Sequence, residues 1–534
     1  MKKKILYTLL LPFALIIPSS CDKGFEELNK NPFESVETDI GPLFNKVVAS
    51  LVLGWNEQFY INNEALYSYT ELGALTQQAW PNINIGSEEV WTNYYTTLAI
   101  IRDIERRFDA YGGSQEELVN ARAMLKILLA VKTFKVTDLF GDIPFFNAGR
   151  GFESLEYARP AFDSQKDIYL FLLNELAWAD ENINATANPV TPANIPLYNL
   201  ASYDNLFYGD MLKWKRFANS LRLRYALRMS EKMPAEAGEI TADIISGNKP
   251  LLNGTGNDVV MSPILQGWEN TAVNWSFREH GKLRMGETIW KMLSETDAAD
   301  GSGIFDPRAY IFFETSNAGE WKAFPQVLTP ETPSEGGVPY HLHRDNNYDV
   351  KGSACNFSPF NYYLIREEKS IPEILMTVAE VKFLLAEIYF RGIGVARDQS
   401  MAQGMYLEGV VASMTFWQNI VKNTSRWVNH EPFLSEWEFY SVLANPVLDI
   451  FSAPEEEQLG YIYAQRWLDA FRQPAEAYAL TRRTTGTPAT GLPLTRFRLQ
   501  YPVSETLNNT LNWNLQVGAM GGRDAQDVKV WWMK

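Results

Sequence analysis

These 534 residues hold only two cysteines and four histidines, and no apolar run long enough to cross a bilayer. With only Cys21 and Cys355, no disulfide framework holds the chain, and stability must come from packed apolar surface. The histidines are His280, His341, His343 and His430. His341 and His343 fall on one side of an extended segment, but no third ligand stands at a defining spacing, so no metal site is expected. His430-Glu431 lacks the second histidine of a zinc-protease helix, and Gly392-Ile393-Gly394 lacks the rest of a phosphate-cradling loop. No cofactor and no catalytic residue is therefore expected. Positive charge is also scarce: 48 Lys+Arg face 64 Asp+Glu, a net charge of −16 with pI near 5.0. That excludes the clustered basic face that nucleic acid requires.

What the chain does have is ring surface and a leader. It is 46% hydrophobic and 13% aromatic, with 16 Trp and 25 Tyr, a composition that supports a large core. Lys2, Lys3 and Lys4 precede an apolar stretch from Ile5 to Ile17, which suits a secretory leader and is too short for a membrane span. Ser19 and Ser20 place small residues before Cys21, a pattern that resembles the lipobox of bacterial lipoproteins, although Pro18 stands where Leu is usual. The expectation is a leader over residues 1–20 and a lipid on the Cys21 thiol, anchoring rather than embedding the chain in a membrane.

Periodicity divides the remainder. Leu43, Val47, Val48, Leu51 and Trp55 recur at three- and four-residue steps, as a buried helix face would, and Val90, Tyr94, Leu98, Ile101 and Ile104 repeat the pattern. Ser87 and Ser114 precede acidic pairs as N-terminal caps do. Helical stretches are expected at Phe162 to Trp178, Met211 to Met229, Glu373 to Arg391, Met401 to Lys422 and Glu455 to Arg472. Residues 247–365 are dense in Gly, Pro, Asn and Asp and lose that period apart from Glu287 to Leu293; the tail from Thr485 reads as irregular. Helical hairpins at about 40–246 and 366–484, with a loop-rich insertion between them, make a mainly α protein.

Several motifs stand in a consistent order. They are Phe25-Glu26-Glu27-Leu28-Asn29, Thr137-Asp138-Leu139-Phe140-Gly141-Asp142-Ile143-Pro144, and Trp214-Lys215-Arg216-Phe217-Ala218-Asn219 running on to Arg224. Ala379-Glu380 through Arg391-Gly392, Gln465-Arg466-Trp467, Arg482-Arg483-Thr484 and Tyr501-Pro502 follow. Together they resemble the SusD/RagB family of outer-membrane nutrient-uptake lipoproteins. The resemblance implies a SusD-like fold with four tetratricopeptide-like helical pairs, one unit over residues 21–534, and the insertion at about 247–365 carrying ligand. It implies a surface protein that binds without cutting, acts as a lid on a SusC-type TonB-dependent transporter, and hands over glycan or, in some relatives, peptide.

The motif residues themselves read as structural. Gly141 and Pro144 mark a turn with Asp138 and Asp142 bonding nearby donors. Arg222, Arg224 and Arg228 are expected to pair with carboxylates of neighbouring helices, and Arg482-Arg483 to pair in the interior rather than with an anionic ligand. Sugar rings present flat C–H faces, so a glycan site needs exposed aromatic rings flanked by polar side chains. Two loops fit: one around Trp80 and Asn82, the other holding Trp268, Trp275, Trp321 and Tyr340. Trp290 and Trp531-Trp532 are assigned to packing. A surface glycosidase, using two carboxylates across a cleft, is the alternative from another class.

Overall fold

The computed structural model describes residues 39–76, 83–185, 200–261, 282–333, 335, 356–361, 372–422, 439, 442–485 and 494–534. The chain divides into Met1–Ile40 and a second unit, Gly41–Lys534, which holds the architecture. Its helices are α1 (Ile40–Ala49), α2 (Ile83–Asp109), α3 (Val119–Phe140), α4 (Gln165–Asn182), α5 (Met211–Met229) and α6 (Pro234–Ser246). After a less regular stretch come α7 (Val378–Arg391), α8 (Gln399–Lys422), α9 (Glu455–Asp469) and α10 (Pro474–Thr484). Two further helices, α11 (Val503–Asn508) and α12 (Thr510–Ala519), occupy the tail that its composition marks as irregular. That segment carries Asn and Thr in place of the charged residues that usually signal a solvated helix face.

Consecutive helices pack in pairs, α2 with α3, α4 with α5, α7 with α8 and α9 with α10. α3 buries residues on most of its circumference, Leu125, Leu128, Leu129 and Phe134 among them, as it sits inside the stack against α2, α4 and α5. Side-chain caps fix the starts: Asp210 accepts from Lys213 N, Ser164 from Asp167 N and Thr377 from Glu380 N. The cap expected at Ser87 is not one. α2 already begins at Ile83, and Ser87 is buried within it. Ser114 does cap, accepting from Glu116 N ahead of the short turn Gln115–Leu118.

Strands are few. β1 (Ala74–Leu75) pairs antiparallel with β3 (Leu283–Arg284), and β2 (Val259–Met261) with β4 (Glu373–Met376). β4 occupies the first four residues of a span whose sequence reads as helix, and α7 starts only after the Thr377 cap. Several rings of the described part of the expected insertion belong to the core. Trp290, Phe312, Phe313, Trp321 and Phe360 join Trp417 of α8, Trp467 of α9 and Phe471 in one buried cluster. Phe312 stacks on Phe471 with centroids 4.0 Å apart.

Candidate functional site

The recognisable motifs converge on buried ion pairs. Arg224 of α5 donates through Nε to Glu380 Oε1 at 2.9 Å, and Arg466 of α9 reaches the same oxygen at 3.0 Å. Arg228 bonds Asp138 and Glu476, and Arg222 bonds Asp243 at 2.7 Å. Arg483 makes a fork to both oxygens of Glu387 at 2.6 Å, with Arg391 adding a third donor at 2.8 Å. Burial pushes the Glu387 and Glu476 carboxyls up, but the surrounding arginines outweigh it and hold each down to about 2. Arg482 differs from its expected ion pairing. It donates to the Asp138 and Phe497 carbonyls at 2.8 Å and lies over the Tyr478 ring. Asp138 also accepts from Tyr169 Oη and Trp532 Nε1, and Asp142 accepts from Gln165 N at 2.8 Å. Gly141, with φ at +86°, closes α3 in the left-handed region. These carboxylates have their bonds satisfied within the fold.

Of the sequence-chosen ligand residues, Trp80, Asn82, Trp268, Trp275 and Tyr340 lie outside the described residues, as do all four histidines and Cys21 and Cys355. Trp321 is described, and it is not a platform. Only 8% exposed, it stacks on Trp290 at 5.8 Å and meets Tyr310 edge-on. Gly301, with φ at +77°, lets the backbone press against it, since a Cβ there would stand 2.7 Å from the indole. Tryptophan in a loop-like sequence signals only that a ring is present; the aromatic neighbours that bury it come from distant segments.

An open hollow of about 680 Å³ lies immediately after the first chosen loop. Asn84, Ile85, Glu88, Glu89, Thr92 and Asn93 from the first turns of α2 form one wall, and Gly54, Asn56 and Val503 the other. Glu89 ties the walls together: its carboxylate accepts from Glu57 N at 2.7 Å and from Asn56 Nδ2 at 3.3 Å. Burial raises its pKa against those hydrogen bonds. Gly54 is required by the close approach, because a Cβ would stand 2.2 Å from Glu89 Oε2. Glu88 accepts from Ser504 N at 3.3 Å, which brings the start of α11 to the rim.

Beside this hollow the chain winds as a π-helix over Glu57–Leu66, a geometry often found at functional positions. Trp55, between rim residues Gly54 and Asn56, stacks on Phe59 at 4.6 Å and 9°, and Tyr60 meets Phe59 edge-on at 5.0 Å. All three rings are half-buried. Sequence reasoning missed them. Trp55 fits the apolar spacing of α1, yet that helix ends at Ala49 and the ring belongs to the next element. The clue was three aromatic residues within six positions, Trp55, Phe59 and Tyr60, more than one α-helical stripe buries. The hollow thus combines amides, a hydroxyl, carboxylates and apolar edge; the half-buried rings adjoin its rim residues Gly54 and Asn56 in sequence and are not among the side chains that line it. Among the described residues, no group of three or more His, Cys, Asp or Glu is placed to hold a metal, and no helix is long and apolar enough to cross a membrane.

Comparison with known proteins fits this architecture. No curated protein matches the sequence. Solved structures do. The chain is 23% identical to a chitin-binding protein, covering 93% of this chain and 100% of that one with a TM-score of 0.68. A SusD homologue from Parabacteroides distasonis is 21% identical, covering 93% and 98% with a TM-score of 0.70. A Bacteroidetes SusD-like protein is 21% identical over 93% and 100%, at 0.69. These likenesses establish the mainly helical fold. A family model described as starch-binding and associating with the outer membrane matches residues 32–495. Given a match over most of its length, together with that fold, the chain belongs to the SusD-like family.

Proposed function

We propose that this protein is a surface glycan receptor, anchored in the outer membrane through a lipid on Cys21, that captures oligosaccharide and delivers it to a SusC-type TonB-dependent transporter. The observation that carries the ligand half is the half-buried Trp55–Phe59–Tyr60 stack beside a hollow lined by amides, a hydroxyl and carboxylates. Flat rings match the C–H faces of a sugar, while Asn84, Asn93 and Glu88 can exchange hydrogen bonds with its hydroxyls. Glu89 is occupied by Asn56 and the backbone and serves to hold the walls together. Its neighbour in sequence, Glu88, projects from the same helix wall, so these two do not face each other across a cleft as a glycosidase pair would. On this reading the protein binds and passes on its ligand without cutting it.

The partner half rests on α11 and α12. Val503, Leu507, Leu511 and Leu515, four residues apart, are 54%, 72%, 74% and 67% exposed. Residues 506–522 carry no charge in a chain of net charge −16. Exposed aliphatic side chains in an uncharged setting mark a face that a protein partner covers. Because Val503 also lines the hollow, a transporter seated on this row would stand next to the bound ligand.

Isothermal titration of the purified protein against polysaccharide and peptide panels tests the ligand; binding confined to peptides would overturn the glycan assignment. Changing Leu507, Leu511 and Leu515 together to Ser should abolish co-purification with the barrel while leaving titrated glycan affinity intact. Cys21→Ala should move the protein from membranes to the soluble fraction, and unchanged retention would refute the anchor.

A further inference from the structure

A second cavity, of about 580 Å³, lies elsewhere in the unit, between α8 and the loop that leads into β2. One wall is a single face of α8. Glu408, Val411, Thr415 and Asn419 recur at three- and four-residue steps, and the wall ends at Ile420. From Glu408 to Ile420 that face extends ~18 Å at 1.5 Å per residue, so the space is elongated. The opposite wall is the loop Asn253–Asp258. The loop is braced, since Asn257 donates to the Asn253 carbonyl at 2.7 Å and Lys213 Nζ to the Gly256 carbonyl at 3.3 Å. Val378 N at 2.8 Å holds Asp258 Oδ1 at the loop's end.

The chemistry of the walls narrows the ligand. An aliphatic strip of Val411, Ala412 and Ile420 runs beside groups of both signs, namely Lys382, paired to Glu408 at 2.6 Å, and Asp258. An anionic ligand would meet two carboxylates, and a cationic one would meet the lysine. A neutral ligand with an apolar face and many hydroxyls can accept from Lys382, donate to Asp258 and Glu408, and lie on the strip. From this we infer that the α8 groove is a second binding site for neutral oligosaccharide, distinct from the hollow at α2. The inference rests on the glycan reading given above. A polymer with repeated units can occupy both sites, and the second contact then forms at a high effective concentration.

The test is isothermal titration of the full chain with neutral oligosaccharides and their parent polymers. Four proteins are compared: wild type, Trp55→Ala, Ala412→Trp (which fills the groove), and the double variant. Two oligosaccharide sites per wild-type chain, one in either single variant and none in the double variant are expected. Affinity for the polymer should fall at least about tenfold in each single variant. Thr415→Lys blocks the same groove and serves if Ala412→Trp does not fold, as judged by circular dichroism melting. One site, lost in Trp55→Ala and unchanged by both groove variants, overturns the groove and leaves the glycan receptor standing. One site lost only in the groove variants overturns the α2 hollow instead. Binding of peptide in the groove, or of no glycan anywhere, overturns this inference.

Discussion

The arginine–carboxylate lattice and the hollow at α2 both contain carboxylates, and they use them in opposite ways. In the lattice, Glu380, Glu387 and Glu476 are enclosed by guanidinium groups from four helices. In the hollow, Glu88 stands at an open rim, and the nearby rings are only half covered. The lattice is where the recognisable motifs lie; the hollow has none. Sequence likeness in this chain therefore reports how the helices are locked together, while the ligand surface is left to segments with no shared signature.

Breaking the lattice gives the largest expected effect. Glu380→Ala takes from Arg466 its carboxylate and leaves Arg224 only Glu476 at 3.6 Å and the Leu375 carbonyl, and should lower unfolding free energy by about 3–5 kcal/mol, read from denaturant melts. Acid should attack the same place. Glu387 and Glu476 fall from 4.5 to about 2 on folding, so their stabilisation is complete above pH 4.5. It is lost as pH drops towards 2, and melts across that window should show a steep fall. A flat profile would mean the lattice is not the acid-labile element. Gly301→Ala sharpens the comparison from the side of the misjudged ring. The added methyl meets Trp321 at a left-handed backbone position, and overpacking of this kind costs about 1–3 kcal/mol. An unchanged melting temperature would mean that Trp321 is less enclosed than it stands here. The smallest effect on folding is expected at the hollow: Trp55→Ala should change stability by less than about 1 kcal/mol yet lower affinity for the polymer at least about tenfold.

How far the sequence could be read follows from the same contrast. Met211 to Met229 is legible to the residue because its apolar period is unbroken and Asp210 caps it. Arg222, Arg224 and Arg228 could be assigned to ion pairs because a buried helix face has no other use for them. Trp321 was misread because its burial depends on Trp290, Tyr310 and a glycine twenty residues away, none of which a local pattern relates to it. The π-helix at Glu57–Leu66 was invisible because its period is not the 3.6 residues that pattern reading assumes. The exposed leucines of α11 and α12 were passed over for a simpler reason: without charged residues to mark a wet side, the segment does not look amphipathic.

Trp467 donates to the Thr70 carbonyl across 397 positions of chain, and Trp532 to Asp138 across 394. The early helices can form from their own residues, but their polar interior cannot close until those late indoles join them. Until then Asp138 stays half solvated and the stack remains loose, a schedule in which topology makes maturation slow. Clipping the chain behind α12 would therefore remove Trp532 and loosen the middle of the molecule, far from the cut in sequence.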